Sequence, residues 1–359
     1  MSPTETQPRA AGRRSINLAL QGGGAHGAFT WGVLDRLLAE PRLQVEGVSG
    51  TSAGAMNAVV LAEGMRRGGP QGARRALGRF WEGVSEAARH SPVRRSPLDV
   101  FMGNWSLDTS PSYLMLDVLS RLASPYDLNP LNINPLRELV AELVDFEAVR
   151  SCREIKLFLS ATNVHTGRVR VFRGHEVTAD VVMASACLPF LFQAVEIDGV
   201  PYWDGGYMGN PALFPFFRRC DSHDVVIVQI NPIERRETPR SAREILNRVN
   251  EITFNGSLLR ELRAIDFVDR QLAAGRLPAD RYVQVRCHMV SADSEIKPLG
   301  ASSKMNAEWA FLQHLFAIGQ EAADHWLDRN FDHLGRRSTL DLRRLFQGPE
   351  GGDEQLESG

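Results

Sequence analysis

Three short stretches of this 359-residue chain carry residue types whose spacing could do chemistry. Gly22, Gly24 and Gly27 form G-x-G-x-x-G. Such glycines let backbone N–H groups at a helix N-terminus approach an anion closely. The anion could be a pyrophosphate, since Glu46 stands where the dinucleotide fingerprint has its acidic residue. It could equally be the oxyanion of a tetrahedral intermediate, or the glycines could simply make a tight turn. The second stretch is Gly50-Thr51-Ser52-Ala53-Gly54, a G-x-S-x-G. At a sharp strand-to-helix turn it would expose the serine oxygen, with Gly50 and Gly54 relieving crowding. The plainer alternative is a serine capping a helix. The third is Asp204-Gly205-Gly206 between Trp203 and Tyr207. A carboxyl on a tight turn among aromatic rings would have a raised pKa, as a general base needs, though the same residues also make an ordinary turn. A serine nucleophile needs a base. None of the nine histidines sits in an evident strand-end turn after an acidic partner, so Asp204 is the better candidate.

The elements that must position these residues follow from the apolar pattern. Ser15–Leu20 reads as a strand ending in the glycine cluster, and Phe29, Val33, Leu34, Leu37 and Leu38 follow at helical spacing. A second strand near residues 44–48 runs into the serine turn, followed by a small-residue helix through Leu61. Strand, glycine turn and helix thus occur twice within 65 residues, which argues for a parallel sheet with helices on its faces. Further strands are expected at 155–161, 169–172, 225–230 and 282–288, and long helices at 242–274 and 304–330, their apolar positions facing the core. Residues 91–135 are rich in Pro, Ser and Asn and include Phe101, Met102, Trp105, Tyr113 and Met115. They read as an irregular packed insertion, or as an apolar lid.

With 43% hydrophobic and 23% charged residues, the composition is that of a globular protein, and a net charge of -2 exerts no general pull on nucleic acid. The four cysteines have no metal or redox spacing, which suggests a reducing compartment. No metal site is expected. The polar start of the chain lacks the apolar core of a signal peptide, and no run of about 18 apolar residues suggests a membrane span. The Arg66-Arg67, Arg74-Arg75 and Arg94-Arg95 pairs could face anionic lipid, or be ordinary solvated charge.

The conjunction of the three stretches is more specific than any one of them. A glycine loop, Gly-Thr-Ser-Ala-Gly about 30 residues on and Asp-Gly-Gly about 150 residues later resembles the patatin-like phospholipase family over residues 16–217, as does Ala184-Ser185-Ala186-Cys187-Leu188-Pro189. The resemblance implies a Ser52–Asp204 dyad without histidine, and an oxyanion loop at Gly22, Gly23 and Gly24. It implies no cofactor. The family usually has Arg or Lys where this chain has His26, which would be only partly charged near neutral pH and bears on head-group preference.

The resulting expectation is a three-layer α/β/α domain with a mostly parallel central sheet, similar to patatin. Residues 15–346 would form that domain, with 218–346 a helical extension, a disordered leader at 1–14 and a disordered tail at 347–359. The expected function is a serine acyl hydrolase of lipid carboxyl esters. It would be cytoplasmic with transient contact at membrane surfaces, bind no nucleic acid, and have an oligomeric state the sequence leaves open. The rivals are a thioesterase or small-ester esterase, a nucleotide-binding oxidoreductase using the G-x-G-x-x-G loop, and a non-catalytic lipid-binding protein.

Overall fold

The computed structural model describes residues 13–347 except His90 and Arg236. The expected leader therefore lies outside the described residues through position 12, and the expected tail from position 348 on. Arg13 and Arg14, assigned to the leader, are ordered: Arg14 opens the first strand and donates its N–H to Arg42 O at 2.8 Å.

The chain begins β1 (Arg14–Leu20), α1 (Gly27–Leu38), β2 (Leu43–Gly50), α2 (Ala53–Ala88). Helix α2 runs beyond the expected end near Leu61, and it bends where Gly68 and Gly69 leave helical geometry ahead of Pro70. After the insertion, which contains α3 (Pro111–Leu122), come β3 (Lys156–Asn163), β4 (Val169–Arg173), α4 (Ala179–Ser185), β5 (Val195–Ile197) and β6 (Val200–Asp204). The last part supplies β7 (Asp224–Val228), α5 (Ala242–Ala273), β8 (Arg286–Val290) and α6 (Trp309–Asn330). Strand β8 begins four residues after the expected start, and α6 five residues after; Ala301–Met305 is instead a 3-10 turn. Among the described residues, no helix is long and apolar enough to cross a membrane.

The sheet order is β5-β6-β3-β2-β1-β7-β8, with β4 on the free edge of β3. The block β3-β2-β1-β7-β8 is parallel, and β4, β5 and β6 are antiparallel. The two faces sort the side chains of each strand. Ile16, Leu18, Leu20, Val226 and Val228 enter one core with α1, α2 and α6, whereas Ala19, Val225, Ile227 and Cys287 enter another with Leu258, Leu262 and Ile265 of α5. That is the period-two alternation of a sheet covered on both sides, and it makes the three layers. Helix α6 lies against α1 with backbone almost in contact: a Cβ on Gly32 would strike Phe316 O, and one on Gly319 would strike Phe29 O. The early half of α5 departs from the expected core role, since Ile245, Leu246, Val249 and Ile252 are exposed.

The register along β3 places the site. Strand β2 ends at Gly50, beside Leu159, while β4 occupies the opposite edge of the same stretch. Strand β6 then takes the edge that β2 vacates, setting Asp204 beside Ala161. Two residues of β3, about 7 Å, separate the end of β2 from the end of β6.

Candidate active site

Strands β1 and β2 end side by side, with Leu20 paired to Gly50. Both glycine-rich turns therefore emerge together at the carboxyl edge of the sheet, where open α/β sheets bind ligands. The serine turn is tight. A Cβ on Gly50 would lie 2.5 Å from Gly54 O, and one on Gly54 would strike Leu20 O. Ser52 stands at the N-terminus of α2 with φ 54° and ψ -121°, and its side chain makes no capping bond. The helix-cap alternative is thereby removed: the hydroxyl is held in a strained conformation and left free of the helix. Its backbone N–H donates to Ser185 Oγ at 3.0 Å.

Asp204 closes β6 and is buried. Its N–H donates to Cys187 O at 2.7 Å, its carbonyl accepts from Thr162 Oγ1 at 2.8 Å, and Oδ1 accepts from Gly206 N–H at 2.7 Å. Oδ2 has no hydrogen-bond partner among the described residues. The Ser52 hydroxyl lies near enough to favour the ionised carboxylate without completing a hydrogen bond to it, a separation common before substrate binds. Burial raises the carboxyl pKa to about 7, against the smaller opposing effects of the Gly206 N–H and the Ser52 hydroxyl. The segment 184–189 braces both residues, since Ser185 holds the Ser52 backbone and Cys187 holds that of Asp204.

The glycine loop lies directly on the serine, because a Cβ on Gly22 would sit 2.7 Å from Ser52 Cβ. Of the three expected oxyanion donors, Gly22 is committed elsewhere: its N–H donates to Asn210 Oδ1 at 2.7 Å. Among the described residues the Gly23 and Gly24 amides have no partner. Gly24 has φ +58°, and a Cβ there would strike Lys304 O.

His26 is buried, with Nε2 2.7 Å from Ser303 Oγ. That hydroxyl donates to Gly300 O, so Nε2 carries the proton and donates, leaving Nδ1 bare. Burial first, and then the charge of Lys304, lower its pKa to about 3. The partly charged His26 expected from the sequence is instead neutral, because no compensating acid accompanies it into the interior. No described histidine hydrogen-bonds Ser52 or Asp204. Glu46 faces away from any nucleotide role: it accepts from the Asp221 and Ser222 amides and pairs with Lys156.

A cleft of about 740 Å³ lies between the insertion and the end of β6; its walls include Leu122, Pro125, Phe190, Trp203, Tyr207 and Met208, and neither Ser52 nor Asp204 lines it. The insertion that walls it alternates short helices at Pro97–Phe101, Pro111–Leu122 and Pro125–Leu128 with irregular turns, and none of the twelve residues of α3 is buried. Phe101 is 86% exposed, Leu122 78% and Met115 65%. In each arginine pair one member is engaged by carboxylates, Arg67 by Glu63 and Asp145, Arg74 by Asp35 and Arg95 by Glu308, so the pairs are not a free basic face.

Sequence reasoning singled out Ser52, Asp204 and the glycines, which the fold brings to one edge of the sheet. It missed Asn210, Asn231 and Lys304, which hold the glycine loop from positions 188 to 282 residues away and carry no local motif.

A comparison with curated protein sequences finds no match. Among solved structures the chain is similar to VipD from Legionella pneumophila (16% identity, TM-score 0.38, covering 89% of this chain and 67% of that one). It is also similar to the type III effector ExoU (14% identity, TM-score 0.37), and to ExoU in the ExoU–SpcU complex of Pseudomonas aeruginosa (15% identity, TM-score 0.35). It covers 53% and 52% of the two ExoU chains, so it spans about half their length, and 89% of this chain is matched in each case. The model of the patatin-like phospholipases matches residues 18–217, which take in the glycine loop, the serine turn and Asp204. More than half of the sequence is matched, and the chain belongs to the patatin-like phospholipase family.

Proposed function

We propose that the protein is a serine acyl hydrolase that cleaves carboxyl esters of lipids with a Ser52–Asp204 dyad. The observation that carries this reading is a strained, uncapped serine at a helix N-terminus facing a buried carboxyl whose pKa lies near 7. Ionised Asp204 takes the proton from Ser52 Oγ as that oxygen attacks the ester carbonyl. The Gly23 and Gly24 amides receive the developing oxyanion, and the positive end of α2 adds to the stabilisation. Gly22 serves as a strut, tied to Asn210 on one side and to Asn231 on the other. As the tetrahedral intermediate collapses, Asp204 returns the proton to the leaving alcohol and an acyl-Ser52 forms. Asp204 then takes a proton from water as the water oxygen attacks the acyl carbon, and on collapse gives that proton to the departing Ser52 Oγ, which releases the fatty acid and restores free Ser52 and ionised Asp204. No step calls for a metal or an organic cofactor.

The apolar cleft at the end of β6 and the exposed apolar residues of the insertion that walls it support an acyl chain as the substrate's apolar part. Exposed apolar side chains of the insertion, among them Phe101, Met115 and Leu122, also support transient contact with a lipid surface. The test is a fluorophosphonate probe applied to wild type, Ser52→Ala and Asp204→Asn, with the labelled peptide mapped. Labelling at Ser52 that vanishes in the first variant and fades in the second is expected. A folded wild type that is not labelled would overturn the reading. Profiling p-nitrophenyl esters and acyl thioesters by chain length separates a lipid hydrolase, whose rate rises with chain length, from a small-ester esterase or thioesterase.

A further inference from the structure

The glycine loop is tied to a cation that arrives from far along the chain. Lys304 lies in the 3-10 turn Ala301–Met305, and its Nζ donates to Asn231 Oδ1 at 2.7 Å. Asn231, itself buried, donates from Nδ2 to Gly22 O at 2.7 Å. The orientation of this carboxamide is fixed chemically, because an ammonium can only donate and a peptide oxygen can only accept. The Gly22 carbonyl and the Gly23 N–H belong to one peptide group. The bonds therefore run in one direction, from ammonium to carboxamide to peptide, and end on the Gly23 N–H beside Ser52.

Aligned hydrogen bonds polarise one another, most strongly when a charged donor heads the chain. Electron density drawn toward the Gly22 oxygen makes the Gly23 N–H a better donor. We propose that Lys304 is a positioning residue for the reaction at Ser52, one that polarises the Gly23 oxyanion donor through Asn231 and the Gly22–Gly23 peptide. The inference rests on the acyl-hydrolase reading of Ser52.

His26 within the loop is neutral and supplies no charge. Burial lowers the Lys304 pKa and Arg235 adds to that, while Glu251 faces the ammonium and favours its charged form. Glu251 is in turn held ionised by Arg235 and Arg248. The main chain of Lys304 also closes on Gly24, its carbonyl filling the space a Cβ there would need.

The experiment compares wild type, Lys304→Met and Lys304→Gln on a p-nitrophenyl ester, and measures inhibition by an alkylboronic acid. Boronate adds to the serine oxygen as a tetrahedral anion and so reports oxyanion stabilisation directly. Losing a full oxyanion donor costs about 100-fold or more, and losing only its polarisation is expected to cost about tenfold. Lys304→Met should lower kcat and boronate affinity by that factor, with KM within about twofold of wild type. Lys304→Gln keeps a neutral donor to Asn231 and should fall between the two, which keeps the test decisive if the methionine variant does not fold. Adding Lys304→Met to Asn231→Ala should cost nothing further, since the path is already cut. Boronate affinity equal to wild type in both lysine variants would overturn the proposal while leaving the dyad standing. Failure of the fluorophosphonate to label folded wild type at Ser52 would remove the dyad reading, and this proposal with it.

Discussion

Replacing Asp204 by Asn should make the protein more stable and nearly inactive, and the gain should depend on pH. Asn keeps an oxygen for the Gly206 N–H but cannot ionise. The carboxyl pKa is raised in the fold from 3.8 to about 7. Below pH 4 the carboxyl is protonated in both folded and unfolded chains and costs nothing. Between about 4 and 7 the unfolded chain ionises and the folded one does not, so wild-type stability falls by about 1.4 kcal/mol per pH unit. Above the folded pKa the loss levels off at about 4 kcal/mol, roughly three pH units' worth. Relative to wild type, Asp204→Asn should therefore gain 2 to 3 kcal/mol, roughly, between pH 5 and pH 8. Urea unfolding of both proteins at the two pH values measures this, and fluorophosphonate labelling measures the lost reactivity. A stability difference between the two proteins that is the same at pH 5 and pH 8 would refute the buried, pH-responsive carboxyl and the base assignment built on it.

The same carboxyl must be ionised to accept the Ser52 proton, so kcat/KM on a soluble ester should rise tenfold per pH unit below about pH 7 and then flatten; a flat profile from pH 5 to 8 would contradict this. Ser52→Gly should be more stable than Ser52→Ala by about 1 kcal/mol, because only glycine relieves the positive φ at that turn, and thermal unfolding of the pair reads it directly. Ser185→Ala leaves the partly buried Ser52 N–H without its acceptor and should cost about 1 kcal/mol together with a fall in Ser52 labelling. Gly22→Ala should abolish labelling in a protein whose circular dichroism is unchanged, since the added methyl displaces Ser52. Phe101→Ser combined with Leu122→Ser should lower hydrolysis of vesicle lipid several-fold while leaving soluble-ester turnover and stability near wild type, because both side chains face solvent.

Much of the site was legible because its chemistry is local. The turn that exposes Ser52 needs small residues within four positions, and the loop packed against it needs consecutive glycines, so both leave short motifs. The parallel pairing of β1 and β2 was legible from strand, turn and helix occurring twice. The hairpin β5–β6 was not, because three- and five-residue strands beside a glycine turn carry too short an alternation to read. Strand β8 was displaced by four residues because Tyr282 and Val285 read as strand, while the pairing to β7 begins only at Arg286.

The types of the candidate reacting groups, a serine between glycines and an aspartate before glycines, were determined by the sequence alone, as was the parallel α/β frame that presents them. Only the tertiary structure decided that β6 would take the edge of β3 vacated by β2, and so bring residues 52 and 204 together. It alone decided that Gly22 would be a strut and that His26 would be neutral, and it alone set Lys304 behind the loop. The physical reason is range. Backbone strain and glycine clearance act within a turn and mark the residues beside them. Burial and polar networks join residues hundreds of positions apart, and no single stretch of the chain records them.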